Sequence, residues 1–258
     1  MKINPSINDN LSLEIADIIA GEPCSYDCTK LNVWPFKKAE DIVEGVELRF
    51  TNLAGGFPFD AAGYRWNTSE ALYIAGQFSK EGKEYESIQQ VLLKEPNGFK
   101  AKKMLKARHK DLIRPDFEEF RVDWMLWVLW QKIQTNGAFR RRLMRVPVDA
   151  VIIEDSTSQK SSTSAYWGSK NPILWEVRNT VKCDLEKTAR YSTQKELAQI
   201  VNLKINAIRN IGAFVGVNAL GRLLMICRRC LEEGTVPPIN MELLTSKGIY
   251  IMGKRIAA

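Results

Sequence analysis

The chain has 258 residues, a formal net charge of +7, 45% apolar residues and 26% charged residues. That balance excludes wholesale disorder and suits one large domain or one domain with an appendage. The positive charge fits an anionic partner, nucleic acid or nucleotide, without choosing between them. The densest apolar run, Trp124–Trp130, is far too short to cross a bilayer. The opening Met1-Lys2-Ile3-Asn4-Pro5 lacks the apolar core of a secretion signal. A cytoplasmic protein with no membrane partner is therefore expected.

Residues 1–45 read as an N-terminal extension or cap. Leu11–Ile19 has helical spacing, which Gly21-Glu22-Pro23 stops. Val46–Thr51 alternates apolar and polar, predicting a strand, and 52–59 is a turn-rich loop with Gly55, Gly56 and Pro58. Thr68 or Ser69 then caps a helix to about Phe78, with Glu70 in its first turn. Further helices are predicted at about 84–94 and 98–110. Pro115 and Asp116 open a long helix to about Gln134. It is apolar nearly all round, so its tryptophans Trp124, Trp127 and Trp130 read as core packing.

A short helix at 137–144 precedes a buried strand at 149–154. A Ser/Thr-rich loop follows from Asp155 and closes on Ala165-Tyr166-Trp167-Gly168. Residues 172–213 hold more helix, notably Gln194–Arg209. A turn at 212–216 leads to a helix over Ala219–Glu232. In the tail, two β-prone runs flank Ser246-Lys247-Gly248 and predict a terminal hairpin. The class is mainly α with a few short β-strands, α+β. Five cysteines make an odd count, and free thiols are the default. Cys24/Cys28 and Cys227/Cys230 have spacing that could hold zinc if the two pairs met. The second pair, on adjacent turns of an apolar helix, fits buried thiols better, and no metal is expected.

The chemistry is bounded by what is missing. The sequence has no phosphate-loop, dinucleotide or nucleophile-elbow motif. Its one histidine, His109, sits at a basic helix end and reads as solvated, so histidine-dependent triads are poor candidates. The carboxylates Glu70, Glu154 and Asp155 remain, with the aromatics Trp66, Tyr73, Tyr166 and Trp167 nearby in sequence. Such a set suits cleavage of an N-glycosidic bond. A carboxylate stabilises the oxocarbenium-like transition state, another handles the proton or water, and aromatic faces stack on a base. Glu70 alone is also what any helix N-terminus selects.

The order of the segments adds a resemblance. Arg49-Phe50-Thr51-Asn52 is followed by Asn67-Thr68-Ser69-Glu70-Ala71-Leu72-Tyr73, then Ala101-Lys102-Lys103-Met104 and Arg114. Lys132-Ile133-Gln134-Thr135-Asn136-Gly137-Ala138-Phe139-Arg140 comes next, then Ile153-Glu154 and Tyr166-Trp167-Gly168. The series ends with Gly216-Val217-Asn218-Ala219-Leu220-Gly221-Arg222-Leu223-Leu224-Met225. In this order the motifs resemble the NADAR, or YbiA-like, family over about residues 46–230. The resemblance implies a compact, mostly helical fold at 46–232 with a helical insertion at about 172–213 and a tail at 233–258. It implies an N-glycosidase of nucleotide-like substrates, ADP-ribosyl-guanine or a related ADP-ribose conjugate, with no cofactor and with nucleic acid as a further partner. Glu70 would be the acidic residue of the first motif, Trp167 would line the pocket, and Arg114 would face phosphate or hold the site together. Asn218 would bond the ligand or the adjoining loop. Asn52, Trp66, Tyr73, Tyr166 and Gly168 complete the expected binding set.

Several positions depart from the family pattern. Ala71 stands for a histidine, Ile74 for a glutamine, Gln77 for a lysine, Ser164 for an aspartate and Val217 for a lysine. A Schiff-base lysine, if the chemistry uses one, would here be Lys132 or Lys170. The competing readings are an inactive binder of ADP-ribose, NAD or nucleic acid, and an interaction protein that keeps only the fold.

Overall fold

The computed structural model describes residues 5–38, 41–100, 103, 108–188 and 193–256. Of the helix expected at 98–110, residues 101, 102 and 104–107 lie outside them, and so Ala101, Lys102 and Met104 of the Ala101–Met104 motif do too. The described helices are α1 (Pro5–Ala20), α2 (Ser69–Gln77), α3 (Lys83–Lys94), α4 (Phe117–Thr135), α5 (Gly137–Leu143), α6 (Ser162–Trp167), α7 (Pro172–Thr188), α8 (Gln194–Ala207), α9 (Ala219–Glu233) and α10 (Met241–Ser246). The strands are β1 (Cys24–Asp27), β2 (Val33–Phe36), β3 (Ile42–Val43), β4 (Val46–Glu47), β5 (Phe59–Ala61), β6 (Tyr64–Trp66), β7 (Val151–Glu154), β8 (Ala213–Gly216), β9 (Tyr250–Ile251) and β10 (Lys254–Arg255). Helices dominate and each named strand has one partner, so the class is α+β. The chain condenses into two compact units. One comprises Met1–Ala16, Phe50–Met144 and Ile226–Ala258; the other comprises Asp17–Arg49 and Arg145–Met225.

The first unit is organised on α4. Glu118 and Glu119 in its first turn complement the helix dipole, and its centre is buried on every side. Trp124 and Trp127 stack with centroids 4.9 Å apart, which makes them core, as their sequence setting predicts. Helix α2 lies directly on α4. A Cβ on Gly76 would fall 2.2 Å from Trp124 Nε1, so only glycine allows this approach. The Trp124 indole N–H then donates to Tyr73 O at 3.2 Å. Strands β5 and β6 turn at Ala62-Gly63, both with positive φ, as a two-residue hairpin requires.

The tail of this unit corrects one expectation. The first β-prone run is helix α10, capped by Asn240 on Leu243 N. The hairpin is tighter than predicted and turns at Met252-Gly253, again with positive φ at both. Long-range anchors explain why the tail folds this way. The buried Asp123 carboxylate accepts Asn240 N, and Tyr250 N donates to Ser79 O.

In the second unit, β2 and β7 run parallel. Bridges Asp155–Ser169 and Lys170–Val215 continue from them to the antiparallel pair β1 and β8. Helices α7 and α8 cover a core of Tyr26, Cys28, Val33, Ile153, Leu174, Leu197, Val201, Ile205 and Phe214. Three local expectations change here. The strand predicted at 46–51 is only Val46–Glu47, because Arg49 has φ +49°, which ends extended backbone. The turn at 212–216 is strand β8, recruited by β1. The end of the Ser/Thr-rich loop is helix α6.

Candidate functional site

The first unit carries a buried polar group at the start of α2. Thr68 has the extended backbone of an N-cap and accepts Ala71 N through its hydroxyl. Asn52 O accepts Glu70 N at 3.0 Å, so the turn-rich loop and the helix start hold each other. Glu70 is only 7% exposed. Gly98 packs against this corner: a Cβ there would sit 3.1 Å from Glu70 Cβ and 3.2 Å from Thr68 Oγ1. Asn52 donates its amide to Met125 Sδ at 3.4 Å. Its Oδ1 is buried with no hydrogen-bond donor among the described residues, and an unsatisfied acceptor in such a place calls for a reason.

Lys132 of α4 meets the same corner. Its ammonium donates to Ser69 Oγ at 3.0 Å and lies 4.3 Å from the Phe139 ring centroid and 5.8 Å from that of Phe57. The side chain is 1% exposed. Burial in this aromatic setting pulls its pKa down to about 7, since desolvation penalises the charged form. A lysine with that pKa is a nucleophile or base at neutral pH. The sequence contains a signal for it. Lys132 falls on the apolar stripe Met125, Val128, Leu129 at helical spacing, where an ordinary lysine would not be placed. Ser69 carries no chemical expectation in the sequence, and the fold makes it part of the group.

Other members of the expected set in this unit are structural. Trp66 is fully buried and donates its N–H to Ala61 O. Tyr73 packs edge-on against Phe117. Arg114 forms a bidentate pair with Asp116 and also donates to Ser79 O, Ser79 Oγ, Lys247 O and Gly248 O. These bonds account for its N–H groups, leaving none for a phosphate. Arg114 ties the C-terminal tail to α2 and α4 instead. Its hydrogen bonds to Asp116, reinforced by its charge and that of Lys247, hold the Asp116 carboxyl below its usual range.

In the second unit, Glu154, Gly168 and Asn218 come together as a scaffold. Asn218 has φ +53°, which asparagine tolerates better than most residues. Its Oδ1 accepts Glu154 N at 3.0 Å and its Nδ2 donates to Ile152 O at 2.8 Å, pinning the end of β7 to the start of α9. Asn218 N donates to Gly168 O. The glycines are dictated by contact. A Cβ on Gly168 would sit 2.4 Å from Glu154 O, one on Gly216 2.7 Å from Gly168 O, and one on Gly221 2.2 Å from Ile152 O. These motif positions are therefore a backbone weld.

Asp155 accepts Thr157 N and Thr157 Oγ1 through Oδ1, closing a local turn. Tyr166 donates to Ile18 O and packs edge-on against half-buried Trp167. Glu70 and Lys132 belong to one unit, and Glu154, Asp155 and Trp167 to the other.

The cysteines are free thiols, with Cys28, Cys227 and Cys230 buried. Burial raises the pKa of each of these three, opposite to what a thiolate ligand needs. Among the described residues no group of three His, Cys, Asp or Glu could hold a metal, and no helix is long and apolar enough to cross a membrane.

No family model and no curated protein matches this chain. Among solved structures, the NMR structure of the E. coli protein YbiA is similar, with 20% sequence identity and a TM-score of 0.47, covering 80% of this chain and 92% of that one. The α+β class stated above rests on the chain's own elements.

Proposed function

We propose that the chain is an N-glycosidase acting on a nucleotide-like substrate, ADP-ribosyl-guanine or a related ADP-ribose conjugate, with Glu70 and Lys132 as the reacting pair. The observation that carries this reading is the buried amine of Lys132, at about pKa 7, bonded to the helix turn that holds Glu70. The Glu70 carboxylate stabilises positive charge on the ribose as the base departs. The neutral Lys132 amine adds to C1′: the Nζ–C1′ bond forms, the C1′–N bond breaks, and the base leaves with a proton. The ribose ring then opens as O4′ takes the remaining amine proton, which gives an imine. Water hydrolyses that imine, returning the amine and free ADP-ribose. The ordered motif resemblance supports the substrate class, and the buried Asn52 Oδ1, which has no donor among the described residues, supports a polar ligand group at this corner.

The test is release of ADP-ribose from guanine-ADP-ribosylated DNA by wild type, Glu70→Gln and Lys132→Met. Wild type should release it, and each variant should be slower by about a hundredfold or more. Borohydride should trap an adduct on wild type and none on Lys132→Met. Release that survives both substitutions would overturn the reading. A second reading, an inactive ADP-ribose binder, is favoured by one observation: Arg114 and Asn218 are spent on the scaffold. A rise in wild-type melting temperature with ADP-ribose, without release from any conjugate, would select it.

A further inference from the structure

The second unit contains a cleft of about 400 Å³, within the range of small-ligand sites. It opens between the segment after β2 and helices α7 and α8. Lys37, Lys38, Arg178 and Lys182 line it together with Trp175, and no described lining residue is a carboxylate. A smaller pocket shares Lys37, Lys38 and Arg178 and brings in Asp41, Asp155 and Arg209.

The acids of that smaller pocket are engaged locally. Asp41 Oδ2 accepts the backbone N–H groups of Lys37 and Lys38 at 2.5 and 2.6 Å, and Asp155 Oδ1 is bonded to Thr157. Arg209 pairs with Glu44. At the exposed rim, Lys182 lies 3.6 Å from Glu186. The Arg178 guanidinium bonds the neutral amide of Asn202. Lys37 stands 5.1 Å over the half-buried Trp175 ring. Burial draws the Lys37 pKa down, and the positive charges of Arg178 and Lys38 add to that against the opposing pull of Asp155. Crowded, partly desolvated cations are relieved by an anion. A basic helix face in open solvent would not bring Lys37 under such pressure.

We propose that this cleft binds the 5′-phosphate of a nucleotide, free or at the end of a nucleic-acid strand, with the phosphate among Lys37, Lys38 and Arg178 and the base against Trp175. Cationic side chains supply charge-assisted hydrogen bonds to phosphate oxygens, and the indole face supplies the stacking surface. Both come from the helical segment that the motif order marks as an insertion and from the strand edge it covers. The proposal does not depend on the chemistry assigned to Lys132.

Calorimetric titration of the full chain tests it, with ADP, inorganic pyrophosphate, adenosine, a 5′-phosphorylated DNA hexamer and the same hexamer with a 5′-hydroxyl. Wild type should bind ADP and the phosphorylated hexamer in preference to adenosine and the hydroxyl hexamer. The stronger of the two phosphorylated ligands identifies the source. Arg178→Gln and Lys37→Gln should each weaken that binding about tenfold or more, and Arg178→Lys should recover part of it. Trp175→Leu should weaken ADP more than pyrophosphate. The losses caused by Arg178→Gln and Lys37→Gln should be the same in a Lys132→Met background, so failure here is separate from failure of the glycosidase reading. The proposal is overturned if no phosphate compound binds wild type, if adenosine binds as well as ADP, or if both charge substitutions leave affinity intact.

Discussion

As sequence, the start of α2 and the start of α9 are alike. Each offers a small polar motif, a glycine-bearing helix and a residue with a plausible ligand role. Their surroundings differ. Asn218 spends both ends of its amide on β7, and a Cβ on any of the glycines Gly168, Gly216 or Gly221 around it would fall within 3 Å of backbone oxygen. The Thr68–Glu70 turn borders an amine whose pKa burial lowers to about 7 and an acceptor without a donor among the described residues. An amide with both ends bonded gives rigidity, whereas a buried acceptor with no donor among the described residues, beside a perturbed titratable group, marks a place for chemistry. A motif's specificity in sequence therefore measures how tightly a position is constrained, whether by packing or by a ligand.

The largest effect expected from this contrast is the loss of about a hundredfold or more in release for Glu70→Gln and Lys132→Met, with folding retained. Asn218→Ala should do the reverse. Removing its amide leaves Glu154 N and Ile152 O without their bonds, a stability cost of about 2–4 kcal/mol by denaturant unfolding. Activity per folded molecule should change little. If Asn218→Ala instead abolished release without lowering stability, the weld would be a site and the comparison would break. Gly221→Ala, which drives a Cβ onto Ile152 O, should cost about 1–3 kcal/mol in the same measurement.

Lys132 has its own stability signature. Its pKa in the fold is lowered to about 7, while an unfolded lysine titrates near 10.4. Between those values the unfolded chain holds the extra proton, so the term from Lys132 makes stability rise with pH across the window and flatten below it. The melting temperature of wild type should therefore rise relative to that of Lys132→Met as pH rises from 7 to 10. A gap independent of pH would mean that Lys132 titrates normally. Thr68→Ala, which removes only the cap on Ala71 N, should cost about 1 kcal/mol.

Local signals are the legible ones. The cap at Thr68, one of the two residues the sequence offers, the Pro115-Asp116 opening of α4 and the Gly21 stop of α1 all lie where the sequence puts them. What the sequence hides is non-local. Ala213–Gly216 reads as a turn because glycines flank it, and becomes a strand only through Cys24–Asp27 far along the chain. Ser162–Trp167 has loop composition, yet it folds as a helix with Tyr166 anchored to Ile18 O. Of the two roles the resemblance implies for Arg114, facing phosphate or holding the structure together, its bonds to Lys247 O and Gly248 O in the tail serve the second. The basic cleft has no motif at all, since Lys37 and Lys38 precede Arg178 and Lys182 by about 140 positions in the chain. Lys132 lies between these cases. Its place on an apolar stripe is visible in the sequence, but its burial against Phe139 and Ser69 is not.

The central claim is that this buried amine is neutral and reactive near neutral pH. Nuclear magnetic resonance of the Lys132 side chain, with its Cε and Nζ shifts followed from pH 5 to 11 and assigned by their loss in Lys132→Met, tests it most directly. A midpoint near 7 is the expected result. A midpoint above 10 would contradict it and return Lys132 to an ordinary buried cation, leaving the glycosidase reading without its nucleophile.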